Sequence, residues 1–281
     1  MRRTDIRRAA VLGSPVAHSL SPVLHEAAFE ALGLPWTYTR IECDAERLPA
    51  LVSSLDDDWV GLSVTMPGKR AALSYATTAT PRAVAVGAAN TLVRADGGWL
   101  ADCTDVDGVT GALRAAGFTG GSLGVVLGAG GTACAALAAF VDLGITSAVV
   151  VVRDLSRATE ATDCAARLGL PLEVSLWSTT DFATLASSAA VLVNTVPPAA
   201  TEPLAPTLAP ARHLLDVIYH PWPTPLATAV SAAGGAVTTG LDMLLHQAFG
   251  QVTHFTGHPP PRPPMRQALS AATGGLHPLP I

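Results

Sequence analysis

The chain has 281 residues, 49% of them apolar and 14% charged, so it reads as a core-rich globular protein long enough for one large or two modest domains. A formal charge of −5 argues against nucleic acid or an anionic membrane as the main partner. The four cysteines form no C-x-x-C pair and the eight histidines no H-E-x-x-H or H-x-H cluster, which leaves no metal site and no disulfide framework, and points to reduced thiols in a cytoplasmic protein.

The arginines at 2, 3, 7 and 8 do not read as a signal peptide, because Asp5 interrupts them and the apolar run Ala9 to Leu12 stops at Gly13-Ser14-Pro15. That run is the first expected strand. Ser21-Pro22 opens a helix to Gly33, with Ser21 where a cap belongs and Pro22 at the first helical position. Trp36 to Cys43 alternates as a strand, Asp44 caps a helix through Leu55, and Trp59 to Thr65 is the next strand, with Pro67 opening a helix toward Tyr75. Ala88 to Arg94 and Trp99 to Cys103 flank the hairpin signal Asp96-Gly97-Gly98, and a helix follows from Val106 to Ala116.

The middle of the chain reads Gly124-Val-Val-Leu-Gly128-Ala129-Gly130-Gly131-Thr132-Ala133, then an alanine-rich stretch, then Val149 to Arg153. This is strand, glycine turn, helix and strand. Gly128 permits the tight turn, Gly130 lets the backbone approach a pyrophosphate, and Ala133 keeps the third position small for helix–strand packing. The free amides and dipole of the helix start would hold phosphates. Ser122 to Val141 carries no charge, but glycines 128, 130 and 131 at its centre argue against a membrane span. Further strands are expected at Leu172 to Trp177, Ala190 to Thr195, His213 to Tyr219 and Ala236 to Thr239, and a helix at Leu241 to Phe255. The proline run 259–261 and 263–264 reads as a rigid turn before one last helix, with a ligand for a proline-recognition module as the sharper alternative. Two α/β domains follow one another, and parallel sheets with right-handed crossovers are expected in both. The second is a Rossmann-type doubly wound sheet, and an active-site cleft is expected between the domains.

Ser19 and Ser21, two hydroxyls beside a helix start, make either plain capping or a site for a carboxylate. Lys69 follows a strand end in a charge-poor segment, where a solvent-facing role is the plain alternative. Asp105 follows Asp102-Cys103-Thr104 and could simply cap the next helix. Yet Thr65, Lys69, Asn90 and Asp105 are all expected at or beyond carboxyl strand ends in one domain, which fits a small polyhydroxylated substrate.

Six blocks resemble the shikimate dehydrogenase family: Ser19-Leu20-Ser21-Pro22, Ser63 to Lys69 (SVTMPGK), Gly87 to Thr91 (GAANT), Thr104 to Gly108 (TDVDG), the glycine loop, and Gly240 to Gln247 (GLDMLLHQ). They keep the family's order and spacing from residue 13 to about 257. The resemblance implies reversible NADP-dependent reduction of 3-dehydroshikimate to shikimate in aromatic amino-acid biosynthesis. It implies Ser19 and Ser21 on the substrate carboxylate, and Thr65, Asn90 and Gln247 on ring hydroxyls or the carboxylate, with Tyr219 nearby. Lys69 and Asp105 would be the catalytic pair. The glycine loop, Thr195 and Gly240 would belong to the cofactor site. The substrate domain would then be discontinuous, residues 1–106 plus 240–281, around a cofactor domain of 107–239. Three positions depart from the pattern: Ser63 and Cys103 each replace an asparagine, and Asn194-Thr195-Val196-Pro197 differs from the usual threonine-serine loop, which puts Thr195 in doubt.

Cofactor choice turns on Arg153 and Arg157, two cations that can converge on the 2′-phosphate of NADP. Asp154 stands between them. Pointed at the ribose it would favour NAD, and as a helix cap it would leave NADP preferred; the cap is the favoured reading. The alternatives are a quinate/shikimate dehydrogenase with NAD preference and a non-catalytic, metabolite-sensing regulator on the same scaffold. Loss of the lysine or aspartate would favour the regulator, and both residues are present. The partner expected is a small molecule, bound by a monomer or homodimer.

Overall fold

The structure is a computed structural model that describes residues 6–275 and 277–281. The final two residues aside, the chain divides into two compact units, one holding the residues up to Thr104 together with Leu244–Leu279, the other Asp105–Met243.

The first unit contains β1 (Arg8–Gly13), α1 (Ser21–Ala31), β2 (Thr37–Glu42), α2 (Leu48–Ser53), β3 (Trp59–Val64), α3 (Lys69–Tyr75), β4 (Thr78–Ala79), α4 (Pro81–Val86), β5 (Thr91–Ala95) and β6 (Gly98–Asp102). Its sheet has the order β2-β1-β3-β5-β6-β4. β1 runs parallel to β2 and β3, and β4 parallel to β6, but β5 is antiparallel to both its neighbours. The expectation of a parallel sheet is therefore corrected here to a mixed one. The cause is local: Ala95 lies opposite Gly98, so Asp96-Gly97 turns the chain directly back, whereas a parallel connection needs a crossover of roughly a dozen residues. Both faces are covered. Ala10, Leu12, Leu62 and Leu92 face one buried cluster, and Ala9, Val11 and Val93 face another with Phe29, Tyr38 and Phe255.

The second unit runs α5 (Asp105–Ala115), β7 (Leu123–Leu127), α6 (Gly131–Asp142), β8 (Ser147–Val152), α7 (Thr159–Leu168), β9 (Leu172–Leu176), α8 (Phe182–Ser188), β10 (Val191–Asn194), α9 (Pro198–Thr201), α10 (Ala205–Leu208), β11 (His213–Asp216), α11 (Pro225–Ala232) and β12 (Ala236–Thr239). All its paired strands are parallel, in the order β12-β11-β10-β7-β8-β9. This is the doubly wound arrangement, whose order reverses between β7 and β10. The four central strands β7, β8, β10 and β11, rich in valine and leucine, are buried on both faces, as a parallel sheet requires. The uncharged span Ser122 to Val141 resolves into β7, the turn and most of α6, and no helix among the described residues is long and apolar enough to cross a membrane.

Two helices complete the chain, α12 (Gly240–Thr256) and α13 (Arg262–Ala272). Thr239 and Asp242 cap the start of α12 reciprocally: Asp242 Oδ2 accepts from Thr239 N at 2.7 Å, and Thr239 Oγ1 accepts from Asp242 N at 3.2 Å. The C-terminal half of α12 lies directly on β3, because a Cβ at Gly61 would collide with the Phe255 ring. Pro263 and Pro264 sit in the first turn of α13, where a missing N–H costs little, and α13 packs along α1.

Candidate active site

In the first unit, one end of the sheet gathers the polar residues. β1, β3 and β6 all finish there, and β5, running the other way, begins there. Asn90 thus stands at the amino end of β5, not at the carboxyl end expected for it; the reversal of β5 still brings it to the same edge, with its carbonyl accepting from Val64 N at 2.7 Å. The loops after β1 and β3 are zipped together by Thr65 N to Leu12 O at 2.8 Å and Ser14 N to Met66 O at 3.0 Å. Lys69 is the first residue of α3, which starts two residues later than Pro67. Its carbonyl accepts from Ala89 N at 2.9 Å, tying it to the strand that Asn90 opens.

Ser21 is already inside α1, and no side chain caps the preceding Leu20 position, where φ is −91° and ψ 2°. The expected cap at Ser21 is corrected accordingly, since a capping residue needs a non-helical backbone. Ser19, upstream of the helix, reaches it instead: its Oγ accepts from Ser21 N at 3.3 Å and donates to Ser21 Oγ at 3.2 Å. Arg40 on β2 holds this loop, donating to the Ser19 carbonyl from Nε and Nη2 at 2.9 and 2.6 Å.

Asn90, Thr91, Thr104 and Gln247 form a buried cluster. The Asn90 amide donates to Thr104 Oγ1 at 3.0 Å and to Gln247 Oε1 at 3.2 Å, and its Oδ1 accepts from Thr104 N at 2.7 Å and Thr91 Oγ1 at 2.9 Å. Asp105, the next residue, opens α5 and is buried. Gln247 is joined on α12 by two residues that the sequence reading passed over, Gln251 and His254. Their spacing of four and three places all three on one helix face, a periodicity that could have revealed them.

His254 donates from Nε2 to Asp102 Oδ2, 2.6 Å away. Burial alone would raise the Asp102 carboxyl, but the Arg82 fork on both its oxygens, His254 and Thr80 hold it far below the usual carboxylate range. This ionised, buried carboxylate anchors α4 and α12 to the end of β6.

The second unit carries the glycine turn. Gly128 has φ +103°, a left-handed conformation that side chains avoid, and a Cβ there would meet Thr195 Oγ1 at 2.5 Å. Gly130 is the cap residue of the 12-residue α6, and nothing lies within 4 Å of where its Cβ would be. Gly131 and Thr132 form the first turn and Ala133 is fully buried against the sheet. A backbone cradle open to solvent at a helix start, beside the point where strand order reverses, fits a pyrophosphate. Thr195, following β10 across that point, donates its hydroxyl to Leu127 O at 2.7 Å. Arg153 and Arg157 are both exposed, the first just before and the second within the 3₁₀ turn Leu155–Ala158, which Asp154 caps by accepting from Ser156 N at 2.9 Å. That bond and the neighbouring Arg157 charge keep the Asp154 carboxyl below its ordinary value. A Cβ at Gly240 would run into the Val217 carbonyl and press on the Tyr219 ring; Tyr219 is half-buried, and burial raises its hydroxyl. Among the described residues, the four cysteines are buried and form no disulfide, and no group of three His, Cys, Asp or Glu is placed to hold a metal ion.

A doubly wound sheet with a phosphate-type turn, and a second sheet ending in a polar cluster, define a two-unit dehydrogenase of the dinucleotide-dependent class. Known proteins narrow this. A family model described as the shikimate dehydrogenase substrate binding domain matches residues 11–92, and one described as the shikimate 5'-dehydrogenase C-terminal domain matches residues 240–269. Shikimate dehydrogenase (NADP(+)) of Anaeromyxobacter dehalogenans is 38% identical over 270 residues, covering 94% of this chain and 96% of its own. The crystal structure of Mycobacterium tuberculosis shikimate dehydrogenase is 51% identical with a TM-score of 0.89, covering 94% of this chain and 99% of that one. Shikimate 5-dehydrogenase of Thermus thermophilus, solved with NADP(H) and shikimate, is 31% identical with a TM-score of 0.80 over 95% of this chain and all of its own. The chain belongs to the shikimate dehydrogenase family.

Proposed function

We propose that the chain catalyses the reversible NADP-dependent interconversion of shikimate and 3-dehydroshikimate, a step of chorismate and aromatic amino-acid biosynthesis. The observation that carries the residue assignments is the convergence at one sheet end of Ser19, Ser21, Thr65, Lys69, Asn90 and Gln247, side chains from distant stretches of the chain. Ser19 and Ser21 take the substrate carboxylate with neutral hydroxyls, and Thr65, Asn90 and Gln247 take ring hydroxyls, with Tyr219 completing the set. NADPH supplies the hydride for the reduction. Lys69 gives the proton to the carbonyl oxygen as it becomes a hydroxyl, and its positive charge stabilises the developing alkoxide. Asp105 orients the Lys69 ammonium and accepts a hydrogen bond from the reacting hydroxyl.

For the cofactor, the turn Gly128 to Ala133 holds the pyrophosphate, and Arg153 with Arg157 takes the 2′-phosphate. Asp154 is engaged in its cap and so does not compete for the ribose. Thr195, bonded to Leu127, and Gly240 shape the backbone around this end. The substrates are soluble, which suits a cytoplasmic monomer or homodimer.

The test is formation of reduced nicotinamide with shikimate or quinate, each with NADP or NAD. Shikimate with NADP is expected to give the highest kcat/KM. A higher value for quinate with NAD would make this a quinate enzyme, and no turnover in any combination would overturn the catalytic reading.

A further inference from the structure

Gln251 lies outside the proposed ligand set, is 1% exposed, and uses its whole hydrogen-bonding capacity. Nε2 donates to the Asn90 carbonyl at 3.1 Å and to Thr91 Oγ1 at 3.0 Å. Oε1 accepts from Ser63 Oγ at 2.8 Å and faces His25 Nε2 at 3.2 Å. Two donors and two acceptor positions are thus filled, and a flipped amide would set its oxygen against the Asn90 carbonyl. Only one orientation works.

That orientation propagates. Because Oε1 can only accept, His25 carries its proton on Nε2; its Nδ1 has no partner, and burial keeps the ring neutral down to a pKa of about 3. Because Ser63 gives its proton to Gln251, it can only accept from Tyr38, whose hydroxyl donates to it at 2.5 Å. Tyr38 ends this side of the chain, its ring stacked on that of His25 at 4.1 Å. On the other side, Thr91 takes a proton from Gln251 and so passes its own to Asn90 Oδ1 at 2.9 Å, which turns the Asn90 amide toward Thr104 and Gln247. Ser63, which stands where the resemblance expects asparagine, joins Gln251 to Tyr38.

We infer that Gln251 is the positioning residue of the substrate end, setting through one directed hydrogen-bond network the Asn90 amide on one side and the Ser63 and Tyr38 hydroxyls on the other. This rests on the reading of Asn90 as a substrate ligand. The network lies wholly within the first unit.

The experiment compares wild type with Gln251→Leu, Ser63→Ala and Tyr38→Phe, by steady-state kinetics and by calorimetric titration with shikimate. Gln251→Leu should raise the KM and Kd for shikimate roughly ten-fold, the usual consequence of leaving buried polar groups unpaired, with the KM for NADP within about two-fold. Ser63→Ala and Tyr38→Phe should each raise the shikimate constants about three-fold, and Ser63→Ala added to Gln251→Leu should change little more, because the chain is already cut. An unchanged shikimate KM in Gln251→Leu, or equal rises for both substrates, would overturn the inference. Where Gln251→Leu does not fold, unchanged shikimate constants in both single-link variants would do the same. Wild-type protein that neither binds nor oxidises shikimate would strike down the ligand reading itself, and the inference with it.

Discussion

The two units hold ligands by different means. In the second, the phosphate cradle is backbone: a positive-φ glycine, an open glycine cap and the first amides of α6, on a sheet whose interior is almost wholly aliphatic. In the first, the candidate substrate end is side chains, with a buried network of hydroxyls, amides and one imidazole reaching from α1 across four strands to α12. A backbone site tolerates much change in side chains and depends on a few glycines. A side-chain site depends on every partner, because each buried polar group left unpaired costs about 1–3 kcal/mol.

The comparison can be broken most sharply at Lys69. Lys69→Ala should lower turnover about 10²–10⁴-fold while NADP affinity is largely kept, as measured by steady-state kinetics and cofactor titration. An enzyme within a few-fold of wild type would mean that chemistry does not reside on the side-chain unit.

The next effect is on stability. His25, fully buried between Tyr38 and Phe255, has its pKa lowered by burial from 6.5 to about 3, against a weaker opposite pull from Gln251. The unfolded chain takes up a proton below about pH 6.5 and the native one does not until about pH 3. Its contribution is therefore intact above pH 6.5 and lost as the pH falls through that window. At about 1.36 kcal/mol per pH unit, the loss between about pH 6.5 and 4.5 is about 2–3 kcal/mol. Urea unfolding across that range should show this slope in wild type and a flatter one in His25→Phe; equal slopes would refute the assignment.

Replacing Ser19 and Ser21 together by alanine should raise the shikimate KM by about 10-fold or more, at roughly 0.5–1.5 kcal/mol per lost bond and more for a charged partner, with NADP unaffected. Gly128→Ala should do the reverse. It forces a side chain to φ +103° beside Thr195 and should raise the NADP KM about ten-fold, leaving calorimetric shikimate binding in the first unit unchanged. Arg153→Ala is the mildest, an exposed contact whose loss should raise the NADP KM several-fold and shift preference toward NAD. Undiminished NADP affinity in that variant would remove Arg153 from the 2′-phosphate site.

What was legible in the sequence follows this division. The glycine turn, the valine-rich strands, the Asp154 cap and the bounds of β12 and α12 are set by interactions within a few residues, and a pattern of local interactions is written contiguously in the chain. Lys69 and Asn90 could be nominated for the same reason, as polar residues at element ends. The reversal of β5 was half visible in Asp96-Gly97, but the partners of that strand were not, because pairing is decided between segments about thirty residues apart. That the cap position falls on Leu20 and not on Ser21 turned on the backbone angles of Leu20, which composition does not specify. Gln251 and Tyr38 escaped notice altogether, and Ser63 stood out only as a departure from the family pattern. Each is unremarkable beside its chain neighbours, and each matters only because burial against residues up to 226 positions away removes water and makes one hydrogen-bonded orientation obligatory.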